Sequence, residues 1–463
     1  MDTLIHRDNT YSLSEAAQVM EGKIRQAADE ISRHVPATPN IIRIEIKIKN
    51  VPILRWLKNQ RKRPQIYWSK RDRPVEVAGV GSADRLTGRH PGNYEALFSH
   101  FTRHLTKCYP NLRYYGGVCF DPLNVQSEWD DFNGYQFLIP RFEILKTRGI
   151  TLLACNFRRN ETSESVQQIC DDLQGLSWDI GTDLEEIPSV HTRQDYPNHD
   201  AWINIVQGIL NSITRGQGEK IVLARKSLLQ FHQPLNPVVL LERFKRTTSQ
   251  CFYFYFQPKE GSAFLGASPE RLYERQGRFI TTEAIAGTRA RGESSQDDER
   301  LKTELLTSTK EAHEHALVVS AIEKILSAFC VEFKSETPQS PLQLEEGQHL
   351  ISHFQGQLKS EISDAALLKA LHPTPAVGGT PTEAALRTIR QREPFSRGWY
   401  AVPIGCVGFD HAEFAVAIRS GLIIQDQLSL YAGAGIVSGS FPQSEWEEVE
   451  NKVGRFLKIL KAD

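Results

Sequence analysis

The sequence predicts an α+β protein whose sheets are mainly antiparallel. Residues 42–49 alternate isoleucine with charged side chains, which is typical of a strand with one buried and one wet face. Four strand patterns follow closely at 401–409, 413–420, 422–425 and 428–434. Strands joined so closely pair antiparallel, because a parallel pair needs a long crossover connection. The sequence therefore favours α+β over a doubly wound parallel sheet.

Helical and strand patterns alternate irregularly along the rest of the chain. Apolar residues at intervals of three and four predict a helix near 202–213, and similar patterns predict one long helix at 297–329, one starting near 382 and one at 443–460. Further predicted strands are 137–139, 151–155, 220–225, 251–257, 263–267 and 280–285.

The chain divides at a polar, proline-containing segment, residues 187–200 (IPSVHTRQDYPNHD). With 463 residues, two to three domains of roughly 150 residues are the starting expectation. We place an N-terminal α+β region at 1–195 and a catalytic region at 196–463, and we expect the two to share a sheet.

Composition argues against nucleic-acid and membrane partners. The net charge is −1, and no apolar run reaches the ~18 residues of a membrane span. The basic run at 55–73 is interpreted as solvated surface. Seven cysteines without a CxxC pair, and an N-terminus without an apolar core, favour a cytoplasmic protein with reduced thiols. We expect a monomer, because no exposed apolar helix stands out.

Two pairs of glutamates lie on predicted helices at i, i+3 spacing: Glu311 with Glu314, and Glu445 with Glu448. Each pair shares a helix face, and carboxylates from two helices suit Mg²⁺. Such a pair, taken alone, is more often solvated surface. A zinc site with His313 and His315 is disfavoured, because residues two apart on a helix point to different faces.

Two other side chains could perform proton transfer. Lys220 opens an apolar strand, where burial would favour a neutral amine and hence a general base, although a strand-end lysine is commonly wet. Glu270 follows a proline and could be a buried acid, or it could pair with Arg271 or Arg275. Gly287-Thr288 and the segment AGAG at 432–435 offer backbone N–H groups for carboxylate oxygens, or their glycines only allow tight turns.

Ten segments, in order, resemble the chorismate-using enzymes: isochorismate synthases, salicylate synthases, anthranilate synthase component I and aminodeoxychorismate synthase component I. They are KIVLAR (220–225), FLGASPERL (264–272), TEAIAGT (282–288), KEAHEH (310–315), HLIS (349–352), HPTPAVGGTP (372–381), RGWY (397–400), FAVAIRSG (414–421), YAGAGIVSGS (431–440) and EWEEVENK (445–452).

The resemblance implies the family fold, in which large antiparallel sheets pack together with helices outside. It also implies a role for each matching residue. Glu314 and Glu448 resemble the primary Mg²⁺ ligands, with Glu311 and Glu445 beside them. Lys220 resembles a base that activates water, and Glu270 an acid that protonates the leaving hydroxyl. The residues that resemble the substrate contacts are Gly287, Thr288, His349, Thr380, Tyr400, Arg419, Gly433, Gly435 and Lys452.

Within the family, the nucleophile distinguishes the reactions. Ammonia-using members lack a lysine at the position of Lys220, and aminodeoxychorismate synthases carry a lysine where this chain has Ala286. Both features favour water, and residues 65–81 resemble the menaquinone-type isochorismate synthases. The expected activity is therefore isochorismate synthesis for menaquinone or phylloquinone. Alternatives are a salicylate synthase, a siderophore-pathway isochorismate synthase and a catalytically silent scaffold subunit.

Overall fold

The computed structural model describes residues 9–33, 39–89, 94–181, 186–344 and 347–461. The α-helices within these ranges are α1 (Leu13–Arg33), α2 (Ile53–Lys58), α3 (Tyr94–His104), α4 (Ser163–Gln174), α5 (His199–Thr214), α6 (Pro237–Thr247), α7 (Ser295–Thr307), α8 (Thr309–Phe329), α9 (Asp364–Leu371), α10 (Thr382–Arg392) and α11 (Pro442–Lys461).

The strands within the same ranges are β1 (Ile41–Ile48), β2 (Gln65–Ser69), β3 (Val75–Val80), β4 (Asp84–Gly88), β5 (Tyr114–Val118), β6 (Tyr135–Ile139), β7 (Phe142–Thr147), β8 (Ile150–Arg158), β9 (Val190–Tyr196), β10 (Lys220–Phe231), β11 (Phe252–Lys259), β12 (Ser262–Ser268), β13 (Arg271–Gln276), β14 (Phe279–Arg289), β15 (Cys330–Leu344), β16 (Gly347–Leu358), β17 (Gly379–Thr380), β18 (Pro403–Val407), β19 (His411–Val416), β20 (Ser420–Ile424) and β21 (Gln427–Val437).

These strands form two large sheets in the described part of the chain. The first has 12 strands in the order β1-β8-β7-β3-β2-β11-β12-β20-β21-β10-β17, with β9 also pairing with β10. The second has 9 strands in the order β15-β16-β14-β13-β19-β18-β5-β6-β4. Neighbouring strands, such as β10 with β21 and β14 with β16, are antiparallel. The predicted antiparallel-rich α+β class is confirmed.

Strands from both sides of residue 195 enter both sheets. In the 12-stranded sheet β2 pairs with β11, with Tyr67 opposite Tyr255. In the 9-stranded sheet β5 pairs with β18, with Gly116 opposite Gly405. Placing the boundary at residue 195 stays a prediction, but the sheets of the C-terminal region are extended by N-terminal strands.

Aromatic side chains fill part of the core. Trp129, Phe132, Phe264 and Trp399 are fully buried. The ring centroids of Trp129 and Phe264 lie 5.5 Å apart, and so do those of Phe132 and Trp399. Burial of such large apolar surfaces is the main favourable term in folding. Residues from both halves of the chain therefore depend on each other for this core.

The prediction of one helix at 297–329 is wrong, because two helices, α7 and α8, occupy this segment. Ser308 between them has an extended conformation, and its side chain accepts a hydrogen bond from the backbone N–H of Glu311. A serine that caps a helix start in this way competes with helix continuation. After this break α8 begins at Thr309, two residues before Glu311.

The wet face predicted for residues 42–49 is also covered in part. Arg43 and Glu45 are buried, with only 4% and 6% of their surfaces exposed. Arg43 donates to Glu45 at 2.6 Å and to Glu143 at 2.5 Å, the latter on β7, two strands away in the sheet. Each charge is neutralised by a partner, which removes much of the cost of burying it.

Part of the basic run at 55–73 is likewise not solvated surface. The side chain of Lys70 is 8% exposed and lies 2.8 Å from Glu413 and 3.0 Å from Glu274. Arg71 lies 2.7 Å from Glu283. The acidic partners are distant in sequence, so the pairing was invisible in the charge pattern.

The seven cysteines are free thiols, as their spacing predicts. Within the described ranges, no helix has the length and apolar character needed to cross a bilayer. The monomeric state stays a prediction.

Replacement of Arg43 by methionine should lower the free energy of unfolding by about 3–5 kcal/mol, because it leaves the buried Glu143 carboxylate without its cation. Urea unfolding followed by circular dichroism measures the change. Arg300→Met is the control, because the Arg300 side chain is 58% exposed and should change stability by under about 0.5 kcal/mol. Equal effects of the two substitutions would contradict a structural role for the buried pair.

Candidate active site

A cavity lies between the two sheets and is bordered by helices α8 and α11. The 12-stranded sheet contributes Val222 of β10 and Gly433 of β21, and the 9-stranded sheet contributes Ala286 of β14 and His349 of β16. Most of the predicted site residues line this cavity: Glu270, Gly287, Thr288, Glu314, His349, Tyr400, Arg419, Gly433, Gly435, Glu448 and Lys452.

Lys220 lies directly behind the cavity wall. It is the first residue of β10, opposite Val437 of β21, and it has no exposed surface. Its Nζ forms an ion pair of 2.8 Å with Oε1 of Glu314, which lines the cavity. A Cβ atom on Gly435 would lie 2.2 Å from that oxygen, so a glycine is needed beside the pair. The alternative of a strand-end lysine in water is wrong.

Glu270 lies at the end of β12, after Pro269, and is 4% exposed. Burial raises the pKa of its carboxyl to about 8, and the negative charge of Glu283 adds to the increase. The charges of Lys220, Arg419 and Lys452 act in the opposite direction but do not cancel it. Glu270 therefore holds its proton at neutral pH, as a general acid must.

The alternative that Glu270 pairs with a neighbouring arginine is wrong. Arg271 lies 3.1 Å from Glu413, and Arg275 lies 2.7 Å from Asp364. Both guanidinium groups are thus engaged away from Glu270, which faces the cavity.

Each of the four predicted metal-binding carboxylates has a cationic partner. The pairs are Glu311 with Arg289 at 2.8 Å, Glu314 with Lys220 at 2.8 Å, Glu445 with Lys310 at 2.7 Å, and Glu448 with Lys452 at 2.8 Å. Glu311 and Glu445 are 2% and 1% exposed, so these pairs are not surface features. The alternative that Glu311 and Glu445 are solvated surface residues is therefore wrong.

The carboxylates fit a divalent cation in charge and donor type. Oε2 of Glu445 is buried and has no hydrogen-bond partner among the described residues. Burial raises the pKa of Glu445, and the nearby charge of Glu448 raises it further. An unpaired buried oxygen next to a second carboxylate is a suitable donor for a hard cation.

Lys310 separates the two pairs in the described geometry. Its Nζ is 2.7 Å from Glu445 and 3.7 Å from Glu311. Among the described side chains, no three of the four carboxylates bring ligand atoms within 4.8 Å of one another. Glu311 and Glu445 line an adjoining cavity that they share with Glu448 and Lys452.

A chain of hydrogen bonds fixes the polar end of the cavity. Nη2 of Arg419 donates to Nε2 of His349 at 3.2 Å, and Nδ1 of His349 lies 3.2 Å from Oγ1 of Thr288. Burial, followed by the charges of Arg419 and Lys452, lowers the pKa of His349, so the imidazole is neutral. A neutral ring that accepts from the guanidinium turns the arginine towards the cavity without adding charge.

The opposite wall presents backbone and an aromatic side chain. Nζ of Lys452 donates to the carbonyl oxygen of Gly433 at 2.8 Å. Tyr400 stacks on Tyr431 with ring centroids 5.3 Å apart. A Cβ atom on Gly433 would lie 3.3 Å from the Tyr400 hydroxyl, so the glycine leaves this wall open to a ligand.

Thr380 lies outside the cavity wall. It forms β17, opposite Lys220 in the 12-stranded sheet, and its carbonyl accepts from the N–H of Glu219 at 2.9 Å. The structure therefore places it behind the proposed base.

Sequence reasoning missed three cations of the site, Arg289, Lys310 and Arg455. Lys310 precedes Glu311 directly, and Arg455, which lines the cavity, follows Lys452 by three residues on α11. The helical spacing of Arg455 was a usable signal. Lys310 gave none, because its partner Glu445 is 135 residues away.

The sequence pattern of the chorismate binding enzymes matches residues 25–461, so the chain belongs to that family. It is 33% identical to isochorismate synthase MenF of Escherichia coli (strain K12), over 94% of this chain and 97% of the relative. It is 35% identical to the chloroplastic isochorismate synthase of Catharanthus roseus, over 84% of this chain and 69% of the relative. The predicted membership of a chorismate-using family is confirmed.

Solved structures agree with this assignment. The menaquinone-specific isochorismate synthase MenF from Escherichia coli superposes with a TM-score of 0.83 and 30% identity, covering 95% of this chain and 99% of that one. Anthranilate synthase component I from Streptococcus pneumoniae TIGR4 has a TM-score of 0.68 and 20% identity, covering 84% and 93%, and shares the fold.

Glu270→Gln should change how stability depends on pH. In the wild type the folded state keeps a proton that the unfolded state loses above about pH 4.5, so the free energy of unfolding falls as pH rises to about 8. The largest slope from this one group is about 1.4 kcal/mol per pH unit. The glutamine variant should lack this decline and gain stability relative to the wild type across the window.

Urea unfolding at pH 5, 6.5 and 8 measures the difference. Glu260→Gln is the control, because Glu260 is exposed and its replacement should leave the pH dependence unchanged. Parallel pH profiles for Glu270→Gln and the wild type would show that Glu270 is ionised in the folded protein.

Proposed function

We propose that the protein is an isochorismate synthase, an isomerase that converts chorismate to isochorismate with Mg²⁺. The observation that carries the proposal is the combination, at one cavity, of a fully buried lysine on β10 and a buried, protonated glutamic acid after β12. The names of relatives that match nearly the whole chain support the same reaction.

The reaction adds one water and loses another. Lys220, as the free amine, accepts a proton from the water that attacks C2 of chorismate. As the C2–O bond forms, the double bonds shift and the C4–O bond breaks. Glu270 donates its proton to the departing hydroxyl, which leaves as water. The ring keeps its composition, so the reaction is an isomerisation and should run in both directions.

The mechanism requires Lys220 to be deprotonated while Glu270 is protonated, and different local environments can provide these two states. Glu270 is protonated because burial and Glu283 outweigh the nearby cations. Lys220 forms an ion pair of 2.8 Å with Glu314 and must lose the proton of that pair before it can act as the base. Glu314 is also a proposed metal ligand, so the base and the metal site are in direct contact.

Mg²⁺ would be held by Glu314 and Glu448, with Glu311 and Glu445 beside them. When bound, it would neutralise the substrate's ring carboxylate and the charge that opposes attack. The buried, unpartnered Glu445 oxygen and the oxygen-only donor set fit this ion.

The enolpyruvyl carboxylate needs cationic and N–H donors. Arg419 and Lys452 line the cavity and provide the cations, and Tyr400 with the backbone at Gly433 and Gly435 completes that wall. Gly287, Thr288 and His349 are proposed contacts on the facing wall, and Thr380 would act only through its position behind Lys220.

Water as the nucleophile is supported by two residues. Lys220, which contacts the cavity-lining Glu314, would serve as its base. Ala286 lines the cavity from β14 and offers no amine for covalent attack on the ring. The names of the bacterial and plant relatives make menaquinone or phylloquinone synthesis the proposed destination of the product.

Lys220→Ala should lower kcat by about 10²–10⁴, the usual contribution of a general base. Chorismate consumption followed by liquid chromatography measures the rate. Lys226→Ala is the matched control on the same strand, because Lys226 pairs with Glu128 at 3.0 Å and does not line the cavity. A near-native rate for Lys220→Ala would remove this lysine from the mechanism.

Glu448→Gln should weaken Mg²⁺ binding, so that more metal is needed for half-maximal activity. Isothermal titration with Mg²⁺ measures binding directly, without turnover. Glu299→Gln on α7, whose side chain is 66% exposed and lines neither cavity, should leave the titration unchanged. If Glu448→Gln and the wild type bind Mg²⁺ equally, the metal assignment is incorrect.

Product analysis separates the reaction from that of a salicylate synthase. Purified protein incubated with chorismate and Mg²⁺ should give isochorismate in equilibrium with chorismate, and the same mixture should form from isochorismate. Stoichiometric salicylate and pyruvate would instead show that the enzyme removes the enolpyruvyl group.

A further inference from the structure

A second polar cluster lies away from the cavity, at the outer edge of the 9-stranded sheet. Asp84 opens the terminal strand β4, and His100 and His104 lie on α3. Each of the three offers a ligand atom, and the three atoms lie within 4.8 Å of one another. We propose that these residues, the edge cluster, bind a divalent transition metal of the Zn²⁺ type.

Sequence spacing allows the two histidines to chelate together. Residues four apart on a helix share a face, and the ring centroids of His100 and His104 are 4.8 Å apart. Nε2 of His100 is 2.9 Å from Oδ2 of Asp84. Two imidazole nitrogens and a carboxylate oxygen are a common Zn²⁺ donor set, with a fourth position left for water.

Residues outside the proposed ligand set hold the Asp84 carboxylate in place. Arg158 donates to Oδ1 of Asp84, and the Tyr114 hydroxyl donates to Oδ2. The carboxylate is oriented by these hydrogen bonds, as the hydrogen-bonded ligands of metal sites usually are.

His104 has an unused nitrogen. Its Nδ1 is buried and has no hydrogen-bond partner among the described residues. A neutral imidazole has one nitrogen with a lone pair that can bind a metal. A buried polar atom without a partner calls for an explanation, and a bound ion is one of the few available.

Comparison with another cluster shows why the edge cluster is the better candidate. Glu274, His411 and Glu413 also lie within the same distance of one another. There Lys70 is 2.8–3.0 Å from both carboxylates, and Arg271 is 3.1 Å from Glu413. Two cations already occupy the space between those carboxylates. At the edge cluster Arg158 contacts Oδ1 of Asp84, whereas the partners of Oδ2 are the Tyr114 hydroxyl and His100, so an ion would have to replace only the contact with His100.

Metal binding would join α3 to the edge strand. The side chain of His100 is 27% exposed, which gives an ion a path from solvent. An ion that binds only the folded state stabilises it in proportion to the logarithm of its concentration above Kd. The role we assign to the site is therefore to secure this edge of the sheet, since none of its three residues lines the catalytic cavity.

Titration of the full chain with Co²⁺ in excess Mg²⁺ tests the proposal. The Mg²⁺ occupies the carboxylates of the proposed magnesium site, and the visible absorption of Co²⁺ reports nitrogen ligands. A second histidine pair, His191 and His232 with ring centroids 4.6 Å apart, is removed in a double alanine background. One equivalent should bind in that background. His104→Ala should weaken binding by at least tenfold, by analogy with the ~10–100-fold losses seen even for outer-sphere changes.

X-ray absorption spectroscopy of the Zn²⁺-loaded double-alanine protein supplies a readout that needs no further substitution. Two imidazoles and at least one oxygen at the metal are expected. Isochorismate formation by His104→Ala should remain at the wild-type rate, so failure of the edge cluster and failure of the proposed activity are distinguishable. Absence of stoichiometric Co²⁺ binding, unchanged affinity in His104→Ala, or an oxygen-only metal would overturn the proposal and leave a hydrogen-bonded ion pair without metal.

Discussion

The ion pair between Lys220 and Glu314 is the contact on which the site depends. It joins the first residue of β10, in the 12-stranded sheet, to helix α8, which packs against β14 of the 9-stranded sheet. Both groups lie where water has little access, and their ion pair offsets the cost of burying the two charges. The pair therefore fixes the separation of the two sheets at the cavity. It also brings the proposed base into contact with a proposed metal ligand.

The other buried carboxylates of the site also have cationic partners. Three more glutamates on α8 and α11 have a cation within 2.8 Å, and two of those cations, Lys310 and Lys452, come from these same helices. Glu270 is the exception, because it lies near cations without an ion pair and keeps a proton instead. Charge balance thus decides which carboxyl groups are anions, suited to a metal, and which one is an acid. One cavity can then provide both functions.

The N-terminal half supports this arrangement indirectly. Its strands extend both sheets, and Trp129 packs against Phe264, six residues before Glu270. Lys70 and Arg71, which follow β2, neutralise Glu413 and Glu283 close to the strands that carry the site. Glu283 in turn contributes to the raised pKa of Glu270. Residues far from the cavity therefore set the electrostatics within it.

Local pattern accounts for much of what the sequence predicted. Periodicity placed β12 and α11 close to their observed bounds and found the starts of β10 and β14 but not their ends, since alternation and helical spacing are properties of neighbouring residues. It failed at Ser308, where a single side-chain hydrogen bond starts a new helix, and at Arg43, whose acidic partner Glu143 is 100 residues away. Neither event changes the hydrophobic pattern.

The residues of the site could likewise be predicted from the sequence, but their charges and contacts could not. By itself the sequence determined the family, the identity of the carboxylates, the lysine and the buried acid, because ordered motifs record which side chains are present. Only the tertiary structure decided which of them are charged and what they contact. Lys310 lies between Glu445 and Glu311, Thr380 lies behind Lys220, and Asp84 meets two histidines at a sheet edge. Burial and the distance between charges exist only after the sheets have packed, and those two quantities determine the reactivity of each group.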